Sequence, residues 1–217
     1  GFLDNYSVAY PILRKHNVPA TFFVTTDFVD SNQPIWFEVV AFAFLALPVG
    51  SIRHPLSGEQ ALPSQPAREV RLLELNQTMS KLKKSPDSER VSYVAHLMTL
   101  VDASALSAAW KKFGGAMKWE HIAEIAKHNI EIGSHSVSHP ILSRTTASVM
   151  TKELTESKRT LEKVTGQPVD LLAYPVGGES HFSAEVIRVA KEAGYAFGVS
   201  YVHGPNRPED MDPFRVR

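Results

Sequence analysis

With 217 residues, 43% of them apolar, the chain can bury a substantial core, and one domain carrying an insertion is the expected organisation. Its 23 Lys and Arg balance 23 Asp and Glu, so no net field recruits nucleic acid or an anionic membrane surface, and a neutral substrate is compatible. The absence of cysteine excludes disulfides, thiolate metal ligands and a cysteine nucleophile; it restricts any metal site to His and carboxylate, and leaves the compartment open between cytoplasm and periplasm or cell envelope.

In chain order, Asp4-Asn5 reads as a helix cap ahead of Tyr6, Val8, Ala9, Ile12 and Leu13, with Pro11 limiting the regularity of that helix. Val18 to Thr26 reads as a buried strand, rich in β-branched and aromatic residues. The α/β rhythm then stops over about residues 33–115, a mostly helical insertion. Within it an apolar run from Trp36 is followed by a Pro/Ser/Gly-punctuated stretch from Pro48 to Pro66. Amphipathic patterns follow at Val70 to Leu82, Arg90 to Leu100 and Ala103 to Phe113, and Gly114-Gly115 is the stop. The run Trp36 to Val49, roughly 14 residues interrupted by Glu38 and Pro48, is shorter than the ~20 residues of a membrane span. No basic segment followed by an apolar one marks a secretory signal at Gly1.

The alternation returns with a helix at Trp119 to Lys127, a strand at Asn129 to Gly133, a helix at Ala147 to Val164 opened by Thr145 or Thr146 and closed by Gly166, and a strand at Asp170 to Tyr174. Ser183 caps a further helix to Ala193, and Tyr195 to Tyr201 makes the last strand. Repeated βα units imply a parallel sheet, whose functional residues gather at the carboxyl ends of strands. His135 and Pro175-Val176-Gly177 both fall there.

The pair His135 and His139, leaving the strand through Gly133-Ser134 and ending at Pro140, is the sharpest chemical signal. A helical turn would set the two imidazoles on one side, where they suit a first-row divalent cation, zinc foremost, given at least one more protein ligand. By spacing alone the pair reads first as surface or capping histidines in a chain with nine His, and the flanks are what favour the metal.

Taken together and in order, Val18-Pro19-Ala20-Thr21-Phe22-Phe23-Val24, Glu131 through Pro140 and Ala173-Tyr174-Pro175-Val176-Gly177 resemble the polysaccharide deacetylases of the NodB-homology type, carbohydrate esterase family 4. The resemblance covers most of the chain outside the insertion. It implies an α/β fold, a distorted, incomplete (β/α)7-type barrel, and a divalent metal held by one Asp and two His. It also implies hydrolysis of N-acetyl, or sometimes O-acetyl, groups on a glycan. His135 and His139 match the histidine ligands; Pro175 matches the proline of the third motif, and Val176 the residue whose backbone N–H helps hold the oxyanion. Zinc is the expected ion, and such a ligand set also accepts cobalt, nickel or manganese. Ala173 stands where the family often has Arg.

In the family a Thr-Phe-Asp-Asp-Gly segment supplies the catalytic base and the metal-binding aspartate. Gly1 matches its glycine, so the resemblance implies that both lie just before residue 1. Asp4 is explained as a cap, and Asp27 is a weaker ligand candidate still. Tyr174, Pro175, Gly177 and His181 are expected near the substrate. Trp36 either stacks on a sugar or anchors the insertion as a buried aromatic. The late histidine that serves the family as general acid has no clear counterpart: His203, in a loop beyond the last strand, reads either as a residue near the site or as a solvent-facing one. The rival reading is a glycan-binding or scaffold protein of the same fold without turnover.

Overall fold

Ile130 and Ile132 lie two apart on one strand face and are buried, while Glu131 between them is exposed, the alternation expected of a strand covered on one side. A computed structural model describes residues 1–54, 58, 60–112, 114–207, 209 and 211–217. The chain forms two compact units, one from Gly1–Gln33 with Gly114–Arg217, the other from Pro34–Phe113.

The first unit opens with a surprise. Asp4 does not cap; its own backbone is helical (φ −63°, ψ −24°) and its side chain makes no capping bond. Asn5–Ala9 instead form a π-helical turn in which the Tyr10 N–H reaches Asn5 O, before α1 (Tyr10–Lys15) begins. Pro11 supplies the reason: without an N–H it cannot donate to the carbonyl four residues back, and the ladder widens next to it. Strand β1 (Ala20–Val24) stops before Thr26, because a second helix, α2 (Thr26–Ser31), starts there.

After the second unit the chain resumes with α7 (Trp119–Ile125), β4 (Ile130–Ser134), α8 (Ala147–Thr165), β5 (Leu171–Ala173), α9 (Ala184–Glu192) and β6 (Phe197–Val199). Thr146 and Ser183 cap α8 and α9 through their side chains, and Gly166 ends α8 in the left-handed region at φ 68°. Among the described residues the sheet runs β1-β4-β5-β6, all parallel, with Val24 opposite Ser134, Ser134 opposite Leu172, and Ala173 opposite Val199. A lone parallel bridge from Val199 to Val216 extends it. Met150, Leu154, Ser157 and Leu161 recur at helical spacing along α8 and are buried in a core shared with Val24, Ile122, Ile132, Leu172 and Val186.

Gly133 plays a different part from the one its position suggests. The strand continues through it to Ser134, and a β-carbon on it would stand 2.5 Å from the Phe23 ring on β1. Where the chain leaves for the second unit and returns, Asn32 adopts φ 49°, and its side-chain oxygen accepts the Ala116 N–H at 2.8 Å. Gly1 O accepts from Met117 N at 2.8 Å on the same seam.

The second unit comprises α3 (Trp36–Ala46), a short antiparallel pair of β2 (Ile52–Arg53) and β3 (Ala61–Leu62), α4 (Arg68–Leu82), α5 (Asp87–Leu100) and α6 (Ala103–Lys112). Phe113, where the last helical pattern is expected to end, and residues 55–57 and 59 of the Pro48 to Pro66 stretch lie outside the described residues. Val40, Ala43, Phe44, Ile52, Leu82 and Leu97 form its buried interior. Glu38 accepts the Ile35 N–H at 2.8 Å to start α3, and Arg71 Nη1 donates to Leu47 O at 2.8 Å at its end. No single helix among the described residues is long and apolar enough to cross a membrane.

Candidate functional site

The carboxyl end of β4 delivers His135, and a loop rather than a helical turn delivers His139. Ser136 at φ 65° and His139 at φ 59° both enter the left-handed region, folding the five residues back so that the two imidazole centroids stand 4.7 Å apart at 78°. Non-glycine residues visit that region only where surroundings hold them. Here the surroundings are polar and specific. Glu153 on α8, itself buried, accepts from Val137 N at 2.8 Å, Ser138 N at 2.9 Å and Ser138 Oγ at 2.6 Å. Ser136 Oγ accepts from His139 N at 3.1 Å, and Ser134 Oγ shares a 2.8 Å hydrogen bond with Ser157 Oγ. From the other side Thr26 N and Asp27 N donate to Ser136 O and Val137 O at 3.2 and 3.0 Å, which is why α2 starts where a longer strand was expected.

His135 Nδ1 lies 2.7 Å from Ala173 O at the end of β5. A carbonyl only accepts, so Nδ1 carries the proton and Nε2 keeps its lone pair. Burial lowers the His135 pKa to about 4 despite the opposing effect of the Ala173 bond, so the ring is neutral at pH 7. A neutral imidazole with its second nitrogen fixed by a backbone carbonyl is the form in which histidine binds a metal ion. The pair therefore fits a divalent cation as two nitrogen donors. Among the described residues, no group of three His, Cys, Asp or Glu assembles to complete a site. Asp4 and Asp27 join no such group, and Asp27 is exposed in the first turn of α2.

The same β5 end leads from Ala173 into Tyr174-Pro175-Val176-Gly177. Val176 adopts φ 67°, a costly conformation for a β-branched residue, and Gly177 follows at φ 62°. Among the described residues the Val176 N–H has no hydrogen-bond acceptor. A β-carbon on Gly177 would fall 2.8 Å from Tyr201 N, so only glycine permits this approach, which the Tyr201 N–H secures by donating to Gly177 O at 2.8 Å.

The other expected site residues fall in varied places. Tyr174 is 2% exposed, stacks on Phe182 at 4.7 Å and donates its hydroxyl to Phe214 O at 3.0 Å, so its ring is an anchor beneath the turn and is not presented to a polymer. Pro175 is buried beside it. His181, half-buried, closes a short 3-10 turn over Gly178, its N–H donating to Gly178 O at 2.8 Å. Trp36 is buried within the second unit, where the Arg90 guanidinium lies 5.0 Å over its ring. His203 is exposed, 5.8 Å from the Tyr201 ring. A cavity of about 640 Å³ between Thr21, Asn129 and Gln167 opens at the amino ends of the strands and contains neither His135 nor His139.

Sequence reasoning missed Glu153, although a signal existed: it is the one carboxylate on the buried stripe Met150, Leu154, Ser157, Leu161 of α8. A charge in such a stripe needs buried partners. Tyr201, an aromatic at a strand end, offered no comparable signal.

The sequence model of the polysaccharide deacetylase family matches residues 1–198, and the chain belongs to that family. Over 81 residues it is 31% identical to the putative polysaccharide deacetylase YxkH of Bacillus subtilis (strain 168), a match spanning 37% of this chain and 28% of that protein. The deacetylase PplD of Streptococcus pyogenes, solved in complex with acetate, resembles it with a TM-score of 0.57 at 18% identity, covering 100% of this chain and 60% of that one. The deacetylase domain of BpsB from Bordetella bronchiseptica gives 0.58 at 18% identity, covering 100% and 66%. The chain thus spans less than two thirds of the length of these relatives. Their likeness is one of fold: the open parallel sheet is that of a distorted, incomplete (β/α)7-type barrel.

Proposed function

We propose that this chain is part of a metal-dependent hydrolase that removes N-acetyl or O-acetyl groups from a glycan. The observation that carries the reading is the His135 Nδ1–Ala173 O bond. It ties the histidine pair to the strand end whose continuation carries Val176. His135 and His139 would hold the cation, zinc foremost, with cobalt, nickel or manganese as alternatives. When bound, that ion would polarise the acetyl carbonyl and acidify a water. The chain's own contribution is positional. His135 offers Nε2 in a fixed tautomer, Glu153 holds the loop that turns His139 toward it, and the Val176 N–H serves as donor to the negative oxygen that develops when the acetyl carbon is attacked.

The carboxylate ligand and the catalytic base are proposed to come from sequence leading into Gly1. The Gly1 nitrogen lies 3.4 Å from Phe23 O on β1, and the next residue of that strand, Val24, accepts the His135 N–H at 2.9 Å, so residues joined to Gly1 would enter beside the histidine pair. A single domain over residues 1–217, with the segment from about 33 to 115 inserted, is part of the same proposal.

The test is acetate release from N-acetylglucosamine oligomers and O-acetylated glycans by the full-length protein, with and without chelator. Release abolished by chelator and restored by zinc is expected; chelator-insensitive release would remove the metal from the mechanism. The second reading, a glycan-binding protein without turnover, is favoured by the lack of a third ligand among the described residues. Glycan binding with no release at any added metal would establish it.

A further inference from the structure

Tyr201 is the first aromatic beyond the carboxyl end of β6, and it is 76% exposed, whereas Tyr10, Tyr93, Tyr174 and Tyr195 are all buried in the core. Among the described residues its hydroxyl makes no hydrogen bond. Its backbone, by contrast, is firmly located. The 2.8 Å bond from Tyr201 N to Gly177 O, and the 3.0 Å that would separate Tyr201 Cβ from a β-carbon on Gly177, lock it against the turn containing Val176. The His203 ring stands 5.8 Å away at 58°, forming the second wall of a two-ring corner.

We propose that Tyr201, flanked by His203, is the platform on which a sugar ring of the acetylated glycan rests beside the Val176-Gly177 turn. This rests on the deacetylase reading of the site and adds a substrate subsite to it. A tyrosine presents a large, rigid face that is apolar across the ring and polar at its tip, matching a pyranose whose C–H faces are apolar and whose rim is hydroxylated. Loss of few rotamers on binding makes such a residue an efficient contact. A protein partner would need a wider apolar area than one ring offers, and the residues that follow, Gly204-Pro205-Asn206-Arg207, do not extend it. The position also has a geometric logic. A ring held one residue from the proposed oxyanion donor fixes the sugar relative to the acetyl group under attack, which is how remote binding serves a reacting centre.

Calorimetric titration of the metal-free full-length protein with the N-acetylglucosamine tetramer tests the platform without turnover. Tyr201→Ala is expected to weaken binding about tenfold, with Tyr201→Trp and Tyr201→Phe staying within roughly threefold of the parent. In turnover of the same tetramer by the zinc-loaded protein, Tyr201→Ala should act mainly on KM rather than kcat. Since the ring is exposed, the melting temperature of Tyr201→Ala should stay within about 2 °C of the parent. Unaltered tetramer affinity in Tyr201→Ala would overturn the proposal, as would a parent protein that does not bind the tetramer. Tyr201-dependent binding without acetate release would keep the platform and remove the deacetylase reading instead.

Discussion

The two loops at the carboxyl ends of β4 and β5 are held in left-handed conformations by opposite means. The His135–His139 loop is held by polar bonds, with one buried carboxylate taking three donors and the Ser134 and Ser136 hydroxyl oxygens taking the Ser136 and His139 N–H groups. The Tyr174–Gly177 turn is held by shape: a buried tyrosine beneath it, a glycine that admits the Tyr201 backbone, and strain at Val176. Polar bonds fix direction precisely and suit a pair of ligands that must converge. Close packing suits a turn that need only leave a backbone N–H accessible.

The comparison breaks most completely at the proposed ligands. His135→Ala and His139→Ala should each lower acetate release by more than the roughly 10–100-fold that loss of a supporting residue costs, with bound zinc lost in parallel by elemental analysis. Gly177→Ala should come next, because the added carbon meets Tyr201 N at 2.8 Å and the residue sits at φ 62°. Roughly 2–4 kcal/mol of stability should disappear, read from urea midpoints. A midpoint unchanged by this substitution would show that the turn is not held by packing.

Glu153→Ala should cost about 1–3 kcal/mol by leaving the Val137 and Ser138 N–H groups without their acceptor, and should weaken zinc binding while the β5 turn stays intact. Glu153→Gln, which keeps one acceptor oxygen, should fall between. The smallest effect is on pH. His135 has a folded pKa of about 4 against an ordinary value of 6.5, so acidification protonates the unfolded chain first. Its contribution to stability is therefore complete above pH 6.5 and is lost as pH falls toward 4. In metal-free protein, urea midpoints should drop over this window, and the His135→Asn variant should show a shallower drop.

Much of this was legible in the chain. The caps at Thr146 and Ser183, the glycine ending α8, the strand–helix order and the histidine pair all rest on local chemistry that short segments express alone. The errors were also local. Asp4 has a capping residue's identity, but Pro11 several residues later reshapes the helix it was meant to start. Thr25 and Thr26 favour a strand by propensity, yet the carbonyls of Ser136 and Val137 capture the first N–H groups of α2. Gly133 was rightly placed in the strand, but its role is to make room for Phe23 rather than to turn the chain out of the sheet.

The sequence by itself determined the fold class and the family, because hydrophobic period, caps and an ordered set of motifs are properties of neighbours along the chain. It also singled out His135, His139 and the Val176 turn as the candidates for the chemistry. Only the tertiary structure decided how they meet: that His135 turns its Nδ1 to Ala173, that Glu153 from α8 clamps the histidine loop, and that Tyr201 stands exposed beside Gly177. These pairings join residues separated by between 15 and 38 positions or lying on different strands. No local pattern encodes them, since each depends on which strand ends the sheet brings side by side.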